Sequence, residues 1–266
     1  MDYFVSIENC QFFRWQVELL YESMKAFGLE NNLIIGCAHF ENKPLRFSRV
    51  FYHENFGRKN NYLPFNKTFS LHTALKNKLI KQPFAVIDPD MIMRNPLPKS
   101  ENSYVQYWPF LEYDNLIKCG YNFDLEKKYW RPGGGVYYFN NIDENLLLNV
   151  HEILCKMIKI FYNSLKGAAK WQIEMVAFSY ILSKYSVEIR PNLESSLMES
   201  KDCNFIHYCN GYYPYFNKRI HNNLREFSFG EALPFNSILQ IPNKNKNIIK
   251  LKEVAANFLD SRDKNL

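Results

Sequence analysis

Two aspartates at the end of an apolar segment are the residues whose types and spacing most directly predict chemistry. Residues 84–93 read FAVIDPDMIM, so Asp88 and Asp90 follow a strand-like run and are separated only by Pro89. Paired carboxylates supply the hard oxygen ligands that Mn²⁺ and Mg²⁺ prefer. The alternative is a turn in which Pro89 bends the chain and both aspartates face water. We interpret Asp88 and Asp90 as an Asp-x-Asp metal motif able to hold a cation against a diphosphate.

Three later features could belong to the same site. Three consecutive glycines at 133–135 precede an apolar run, and they would let a ligand approach the backbone closely, although a flexible turn is the simpler interpretation. His207 closes a short apolar stretch and could be a further ligand, although an isolated histidine is more often structural. Glu174 lies in an apolar helical pattern. It is a candidate general base if it faces a cleft, and an ordinary surface carboxylate if it does not.

Strands and helices alternate over the first ninety residues. The hydrophobic periodicity predicts strands at 3–7, 32–38 and 49–53, and helices at 12–29 and about 68–81, before the strand that leads to Asp88. This order predicts an α/β protein with a parallel sheet and helices packed on its faces. Ligands of such sheets bind at the carboxyl ends of the strands. The two aspartates occupy that position.

The second half follows a different pattern. It predicts strands near 103–108, 187–190 and 204–208, helices at about 143–165 and 169–185, and a short amphipathic helix at about 249–259. We find no internal repeat and no convincing linker. We therefore predict one catalytic domain at 1–240, followed by a carboxyl-terminal extension at 241–266.

Composition restricts the class of protein. The chain has 266 residues with 47% hydrophobic content, and its 33 basic and 27 acidic side chains give a net charge of +6, which favours a polyanionic partner without requiring one. The six cysteines form no Cys-x-x-Cys pair, so neither a zinc site nor a disulfide framework is indicated. The chain begins directly with a strand and has no stretch of about 18 apolar residues. These features predict a soluble, cytoplasmic protein without a membrane span.

Together the motifs resemble the A-type fold of nucleotide-sugar glycosyltransferases. The shared order is a strand ending in Asp-x-Asp, a Gly-Val strand ending in Asn, and a late His followed by Gly and Lys. More narrowly, residues 87–98, 171–190 and 205–212 are similar to segments of the plant hydroxyproline arabinosyltransferases and peptidyl-serine galactosyltransferases, as is the early helix with Trp15 and Gln16. The resemblance implies a single-domain fold with a Rossmann-like mixed sheet and helices on both faces.

This resemblance spans roughly residues 3–220, with clear departures. The chain is shorter than those enzymes, lacks their anchor and differs at 133–141, so their peptide acceptor is not carried over. The resemblance nevertheless implies roles for particular residues. The implied metal ligands are Asp88, Asp90 and His207. The implied catalytic residues are Glu174 and Asp90. The implied donor-binding residues are Asp88, Gly134, Gly135, Lys218 and Trp130. The implied acceptor-binding residues are Trp171, Tyr212, Arg219 and Arg225.

The leading hypothesis is a Mn²⁺- or Mg²⁺-dependent glycosyltransferase that moves one sugar, with arabinose suggested by the narrower resemblance, from a UDP-sugar to a hydroxyl group. The basic surplus and the aromatic content suit a hydroxymethylated base, such as hydroxymethylcytosine, in duplex phage DNA, which would place the enzyme in the host cytoplasm. A bacterial or viral surface glycan or a protein is the competing acceptor. Two other classes stay open: a Mg²⁺-dependent nucleotidyltransferase or phosphohydrolase, and a non-catalytic sugar- or nucleic-acid-binding protein.

Overall fold

The structure is a computed structural model that describes residues 1–40, 44–107, 133–161, 168–182, 185, 187–208 and 235–263. The strands are β1 (Asp2–Glu8), β2 (Leu33–Ala38), β3 (Val50–His53), β4 (Phe84–Ile87), β5 (Met91–Met93), β6 (Tyr104–Tyr107), β7 (Gly133–Phe139), β8 (Glu188–Ile189), β9 (Glu194–Ser196) and β10 (Phe205–His207). The helices are α1 (Gln11–Lys25), α2 (Phe56–Lys59), α3 (Phe65–Lys76), α4 (Glu144–Leu148), α5 (Val150–Phe161), α6 (Ala168–Leu182), α7 (Phe235–Leu239) and α8 (Lys246–Asp263), with a 3-10 turn at Glu30–Asn32.

Seven strands of the described chain form a mixed sheet in the order β3-β2-β1-β4-β7-β6-β8. The first four are parallel, whereas β7 runs antiparallel to both β4 and β6. Strands β2 and β4 are buried along their whole length, as expected of strands covered on both faces. The mixed sheet and its helices confirm the α/β class, and the parallel part is the part that the first ninety residues predicted.

Helices cover both faces of this sheet. On one face α3, α5 and α6 pack against side chains such as Phe4, Val86 and Phe139. On the other face α1 packs against residues such as Val5 and Ile87, which alternate with the first set along their strands. This alternation is the period of two that a strand imposes on its side chains. The carboxyl ends of the parallel strands are left as the open edge.

A second sheet of three short strands lies beside that edge, in the order β5-β10-β9. Strand β10 is antiparallel to β5, with His207 opposite Met91, and parallel to β9, with His207 opposite Ser196. The amide of Tyr208 donates a further hydrogen bond to the carbonyl of Asp90 at 3.1 Å. The small sheet therefore brings His207 to the Asp-x-Asp motif across more than one hundred residues of sequence.

The final helix packs on the body of the protein. Helix α8 buries Ile248, Leu251 and Val254 in a cluster that includes Trp15 and Leu19 of α1. It covers Lys246–Asp263 and is longer than the helix predicted at 249–259. The division at residue 240 stays a prediction. Among the described residues, no helix has both the length and the apolar character needed to cross a bilayer.

Several predicted boundaries were wrong for local reasons. Helix α3 begins at Phe65, directly after Pro64, whose fixed φ suits the start of a helix, and so it includes Lys67. Helix α1 ends at Lys25, three residues before Gly28, which has a φ of +65°. The helix predicted at 143–165 is two helices, α4 and α5, and the glycines at 133–135 lie inside β7, not before it.

Candidate active site

The Asp-x-Asp motif lies between two strands of different sheets. Strand β4 ends at Ile87 and β5 begins at Met91, so Asp88 and Asp90 occupy the connection at the open edge. One ligand atom each from Asp88, Asp90 and His207 lie within 4.8 Å of one another. Two carboxylates and an imidazole at this spacing are a donor set suited to a divalent cation. The three predicted metal ligands are therefore brought together.

His207 lies between two carboxylates. Its Nε2 is 3.2 Å from Asp90 Oδ1, and its Nδ1 is 3.5 Å from Glu194 Oε2. Burial opposes protonation of His207, but the carboxylates of Asp90 and Glu194 outweigh burial and raise its pKa well above the ordinary value. Glu194 was not predicted from the sequence. The amide of Gly135 donates to its Oε1 at 3.4 Å, so Glu194 links β9 to β7.

Lys67 joins the other end of this cluster. Its Nζ is 2.7 Å from Asp88 Oδ1 and 3.1 Å from Glu174 Oε1. Burial disfavours the charged ammonium, but Asp88 and Glu174 outweigh this effect and raise the pKa of Lys67. Burial also raises the pKa of Glu174, helped by the charge of Asp88 and opposed by Lys67. Glu174 therefore faces the site and not solvent, which meets the condition set for a general base.

Gly134 and Gly135 leave room for these carboxylates. A Cβ atom on Gly135 would lie 2.3 Å from Met91 Cε, 2.7 Å from Asp88 Oδ2 and 2.9 Å from Glu194 Oε2. A Cβ atom on Gly134 would lie 2.6 Å from Glu194 Oε1. These distances to carboxylate oxygens are shorter than real contacts allow. The glycines therefore make space for acidic side chains at the bottom of the site, and neither has a positive φ.

The cluster carries excess negative charge. Four carboxylates (Asp88, Asp90, Glu174 and Glu194) are accompanied by two basic side chains, Lys67 and His207, so two formal negative charges are uncompensated within the cluster. In addition, the buried Glu194 carboxylate shares His207 with Asp90, so one imidazole serves two carboxylates. A buried carboxylate is normally paired or coordinates a metal. The donor set and the charge both fit a divalent cation.

A cleft of about 270 Å³ opens from this cluster along the carboxyl ends of the parallel strands. Its lining includes Lys67, Asp88 and Glu174 together with Ser6 and Glu8 of β1. A larger cavity, about 580 Å³, lies between α1, the segment 44–47 and α8, and its lining includes none of the clustered carboxylates. The smaller cleft is therefore the one that opens onto the acidic cluster.

The predicted residues divide into two groups. Asp88, Asp90, His207, Glu174, Gly134 and Gly135 meet in one place. Five others lie outside the described residues: Trp130, Tyr212, Lys218, Arg219 and Arg225. Trp171 belongs to α6, but its side chain also lies outside the described part of the chain. The donor- and acceptor-binding roles given to these six residues stay predictions.

Three residues of the site were missed. Lys67 occupies the first turns of an amphipathic helix, where a lysine normally faces water, and Glu194 falls in a stretch that carried no motif. The third, Tyr137, has a buried hydroxyl with no hydrogen bond from the described residues, and burial together with the nearby carboxylates raises its pKa well above the ordinary value. Lys67 was missed because the predicted helix began at about residue 68, just after it. No local sequence pattern indicated Glu194.

Comparisons with known proteins agree with this geometry at the level of the fold. No protein-family model and no curated protein match the sequence. Among solved structures, the galactosyltransferase LgtC in complex with donor and acceptor sugar analogues is 10% identical, over 96% of this chain and 95% of that chain, with a TM-score of 0.51. An active-site mutant of LgtC is 11% identical over the same shares, with a TM-score of 0.53.

At such identities the likeness concerns the fold alone. It confirms the A-type glycosyltransferase fold that the sequence motifs implied, as a single mixed α/β domain. The narrower resemblance to arabinosyl- and peptidyl-serine galactosyltransferases stays a prediction.

Proposed function

We propose that this protein is a metal-dependent glycosyltransferase that transfers one sugar from a UDP-sugar to a hydroxyl group. One observation carries the proposal: Asp88, Asp90 and His207 form a cation-type donor set at the carboxyl edge of a parallel sheet. That edge is where ligands of open α/β sheets bind. The shared fold supports the proposal, since LgtC was crystallised with donor and acceptor sugar analogues.

The metal site fits the departing group of such a reaction. A divalent cation held by Asp88, Asp90 and His207 would neutralise the negative charge that develops on the nucleoside diphosphate. Lys218, if it follows the pattern of the resembling family, would steady the same diphosphate. Glu194 holds the imidazole of His207 on the side away from Asp90, so it orients a ligand without having to bind the metal itself.

The opposite end of the cluster suits the sugar. With the diphosphate at the Asp-x-Asp motif, the transferred sugar would lie beside Gly134 and Gly135, as the family resemblance implies. Lys67 and Glu174 then face that sugar. Glu174 is our choice for taking the proton of the acceptor hydroxyl, because its raised pKa brings it nearer to the pH at which it works. Lys67 fixes the position of the Glu174 carboxylate and holds Asp88 beside the cation.

For the acceptor we favour a saccharide hydroxyl, because the neighbouring structure contains an acceptor sugar analogue. Arabinose as the donor sugar is supported only by the narrower sequence resemblance. A hydroxymethylated DNA base is supported only by the basic surplus of +6, since Tyr212, Arg219 and Arg225 lie outside the described residues. A two-metal nucleotidyltransferase is disfavoured, because the described residues hold no second acidic cluster of the metal-binding kind.

The test is UDP release from a panel of UDP-sugars (UDP-arabinose, UDP-galactose and UDP-glucose) with Mn²⁺ or with a chelator. Acceptors are simple saccharides and a duplex that carries hydroxymethylcytosine. We expect Mn²⁺-dependent release with one donor, and at least a hundredfold loss of Mn²⁺-dependent UDP binding in Asp90→Asn or His207→Ala, since metal ligands are removed. Transfer to saccharide but not to the duplex would eliminate the DNA acceptor.

Asp202→Asn is the matched control. Asp202 is an exposed carboxylate that pairs with Lys246 and Arg94 far from the cluster, so the variant loses the same charge outside the site. The control should bind UDP as the wild type does. Metal-independent UDP binding, or equal binding by the Asp90 variant and the control, would contradict the proposal.

A further inference from the structure

The ammonium of Lys67 occupies a position that is built to hold one positive charge. Its Nζ lies 2.7 Å from Asp88 Oδ1 and 3.1 Å from Glu174 Oε1. It also lies over two aromatic rings, 5.6 Å from the centroid of Tyr137 and 5.8 Å from that of Phe178. Both distances fall within the range of attraction between a cation and an aromatic ring. The connection after β4, helix α6 and strand β7 therefore converge on a single charge.

The location of Lys67 in its helix is unfavourable for a positive charge. Lys67 belongs to the first turn of α3, which begins at Phe65, and a cation near the N-terminus of a helix opposes the helix dipole. The Lys67 side chain is only 12% exposed, so the ammonium is also largely removed from water. The ion pairs with Asp88 and Glu174 offset both costs. Lys67 is therefore held for the two carboxylates and not for α3 itself.

Asp88 has two cationic partners once a metal ion is bound. The carboxylate that pairs with Lys67 also supplies one of the three atoms, within 4.8 Å of one another, that form the predicted metal site. A divalent cation that uses Asp88 must therefore share this carboxylate with the ammonium. The Asp88 side chain is 19% exposed, so solvent screens the repulsion between the two positive charges only in part.

We propose that Lys67 lowers the affinity of the site for a free divalent cation, because its ammonium competes with that cation for Asp88. Lys67 is a positioning residue, and the contact that fixes Asp88 has a cost in cation affinity. The inference rests on the proposed function, which places the cation at Asp88, Asp90 and His207. The negative charge of a nucleoside diphosphate offsets the repulsion between Lys67 and the cation. The site then binds the cation firmly only together with the diphosphate.

Removal of the Lys67 charge has opposite consequences under two interpretations. The acidic cluster has four carboxylates and two basic side chains, so loss of the ammonium raises the uncompensated negative charge from two to three. If Lys67 competes with the cation, its loss strengthens cation binding. If Lys67 only supports the structure, its loss leaves Asp88 free to move and weakens cation binding. The sign of the change in cation affinity decides between them.

The experiment measures the dissociation constant for Mn²⁺ without nucleotide, from the electron paramagnetic resonance signal of free Mn²⁺, for the wild type and Lys67→Met. Methionine is unbranched like lysine, so most of the packing against Tyr137 and Phe178 is kept. We expect Lys67→Met to bind Mn²⁺ more tightly by about tenfold or more, because a like charge beside the ion has been removed. An unchanged or larger dissociation constant in a folded variant would refute the role of Lys67.

Titration in the presence of UDP measures the coupling between the two ligands. UDP should strengthen Mn²⁺ binding to the wild type by about a hundredfold, and Mn²⁺ strengthens UDP binding by the same factor, because coupling is reciprocal. In Lys67→Met this factor should be smaller by about tenfold, since the free site already attracts the cation. Wild-type protein that binds Mn²⁺ equally well with and without UDP would overturn the inference and leave the cation site of the proposed function in place.

Lys252→Met is the matched control. Like Lys67, Lys252 is half-buried, but its Nζ donates to the Ile241 carbonyl at 2.8 Å and to Asn243 Oδ1 at 2.7 Å, outside the acidic cluster. The control loses the same charge and should bind Mn²⁺ and UDP as the wild type does. Equal tightening of Mn²⁺ binding in the control and in Lys67→Met would show an effect of net charge alone and refute the competition for Asp88.

Thermal unfolding keeps the test valid if Lys67→Met is unstable without a cation. Stabilisation by a ligand depends on its concentration relative to its dissociation constant. The variant should therefore gain stability at lower Mn²⁺ concentrations than the wild type, and the reverse order would refute the inference. Failure of the proposed function gives a different result: wild-type protein that binds no Mn²⁺ even with UDP present refutes the proposed function and this inference with it.

Discussion

Two regions of the cleft contain buried carboxylates, and they differ in how completely those carboxylates are paired. At the β1 end, Glu8 is hydrogen-bonded by the guanidinium of Arg58, with Nη2 2.7 Å from Oε2, and by Asn55 at 2.6 Å. At the β4 end, four carboxylates are accompanied by two basic groups, so two formal negative charges are uncompensated within the cluster. A complete pairing indicates a structural element; an incomplete one indicates a place for a ligand.

Histidines show the same contrast. Burial lowers the pKa of His151 to about 4, with His72 adding to the effect, so the ring is held neutral among phenylalanine rings. The carboxylates beside His207 raise its pKa instead. The direction of each pKa shift therefore reflects the surroundings of the histidine. His151 lies in the packed interior between α3 and α5, whereas His207 lies in the acidic cluster.

The largest effect is expected at Glu174, because it is the carboxylate proposed to take the proton of the acceptor hydroxyl. Glu174→Gln keeps the size of the side chain but removes the proton acceptor and the ion pair with Lys67. We expect turnover to fall by about a hundredfold or more, with the dissociation constant for UDP and Mn²⁺ nearly unchanged. Single-turnover kinetics and calorimetry on the same preparation measure the two quantities.

Glu199→Gln is a suitable control, since that glutamate is exposed and its carboxylate contacts Lys201 and Ser195 in the described part of the chain. Its turnover should match the wild type. Unchanged turnover in Glu174→Gln would show that Glu174 takes no part in the reaction and has a structural role in α6.

The second prediction concerns acid stability and the packed interior. In the folded protein the pKa of His151 is about 4, whereas an unfolded histidine titrates near 6.5. Below pH 6.5 the unfolded chain therefore binds more protons, so the contribution is present above pH 6.5 and is lost as the pH falls towards 4. The loss amounts to at most about 3 kcal/mol. Urea unfolding of wild type and His151→Gln across this range measures it.

His39→Gln controls for the general effect of acid, since His39 is exposed and stacks on Tyr52, outside the interior that holds His151. The His151 variant should show a shallower dependence of unfolding free energy on pH than the wild type or this control. Identical slopes in all three proteins would show that His151 does not contribute to acid sensitivity.

The third prediction compares the two regions directly. Arg58→Ala leaves the buried Glu8 carboxylate with its hydrogen bond from Asn55 but without the guanidinium. We expect the free energy of unfolding to fall by about 2 kcal/mol, below the full value for a buried pair because the Arg58 side chain is 37% exposed.

Asp90→Asn in metal-free protein removes one negative charge from a cluster in which carboxylates outnumber basic groups. It should leave the unfolding free energy unchanged or raise it by up to about 1 kcal/mol.

Chemical denaturation with a chelator present compares both variants with the wild type. The sign of each change in unfolding free energy is the decisive quantity. Equal destabilisation by the two substitutions would mean that the acidic cluster is paired as completely as Glu8, and the distinction between the regions would fail.

The smallest effect is expected from Gly135→Ala, which tests whether the carboxylates of the acidic cluster need the space that a glycine leaves beside them. The new methyl group would force the carboxylates of Asp88 and Glu194 and the end of the Met91 side chain to shift, and UDP affinity with Mn²⁺ should fall about tenfold. Gly28→Asn is the control, because position 28 is open and asparagine tolerates its positive φ. Wild-type affinity in Gly135→Ala would show that the carboxylates can move without cost.

The sequence predicted those parts of the site that lie within continuous motifs. Asp88 and Asp90 could be found because an apolar strand and two carboxylates are adjacent in the chain, and the alternation of elements places that strand end at the ligand-binding edge. His207 became a candidate only beside them. The parallel order of β1 to β4 followed from the same alternation.

Other parts depend on pairings that no local pattern reveals. Lys67 joins the candidate site because α3 starts at Phe65 and directs it at Asp88, whereas the helix predicted from residue 68 excluded it. Glu194 reaches His207 because β9 pairs with β10, two short strands whose register is set by tertiary contacts. The mixed charge of the cluster exists only once five separate segments have assembled.

The short pairing of β5 with β10 has a consequence for how a cation would be received. Asp90 directly precedes β5, which pairs with the strand that carries His207, and its carbonyl accepts a hydrogen bond from the Tyr208 amide. The backbone therefore sets the separation of the two residues. Ligands arranged in advance lose little conformational entropy when an ion arrives. Binding of a cation would then change the charge of the site without requiring the protein to fold around the ion. Small metal-binding domains differ, because they fold only when the ion binds.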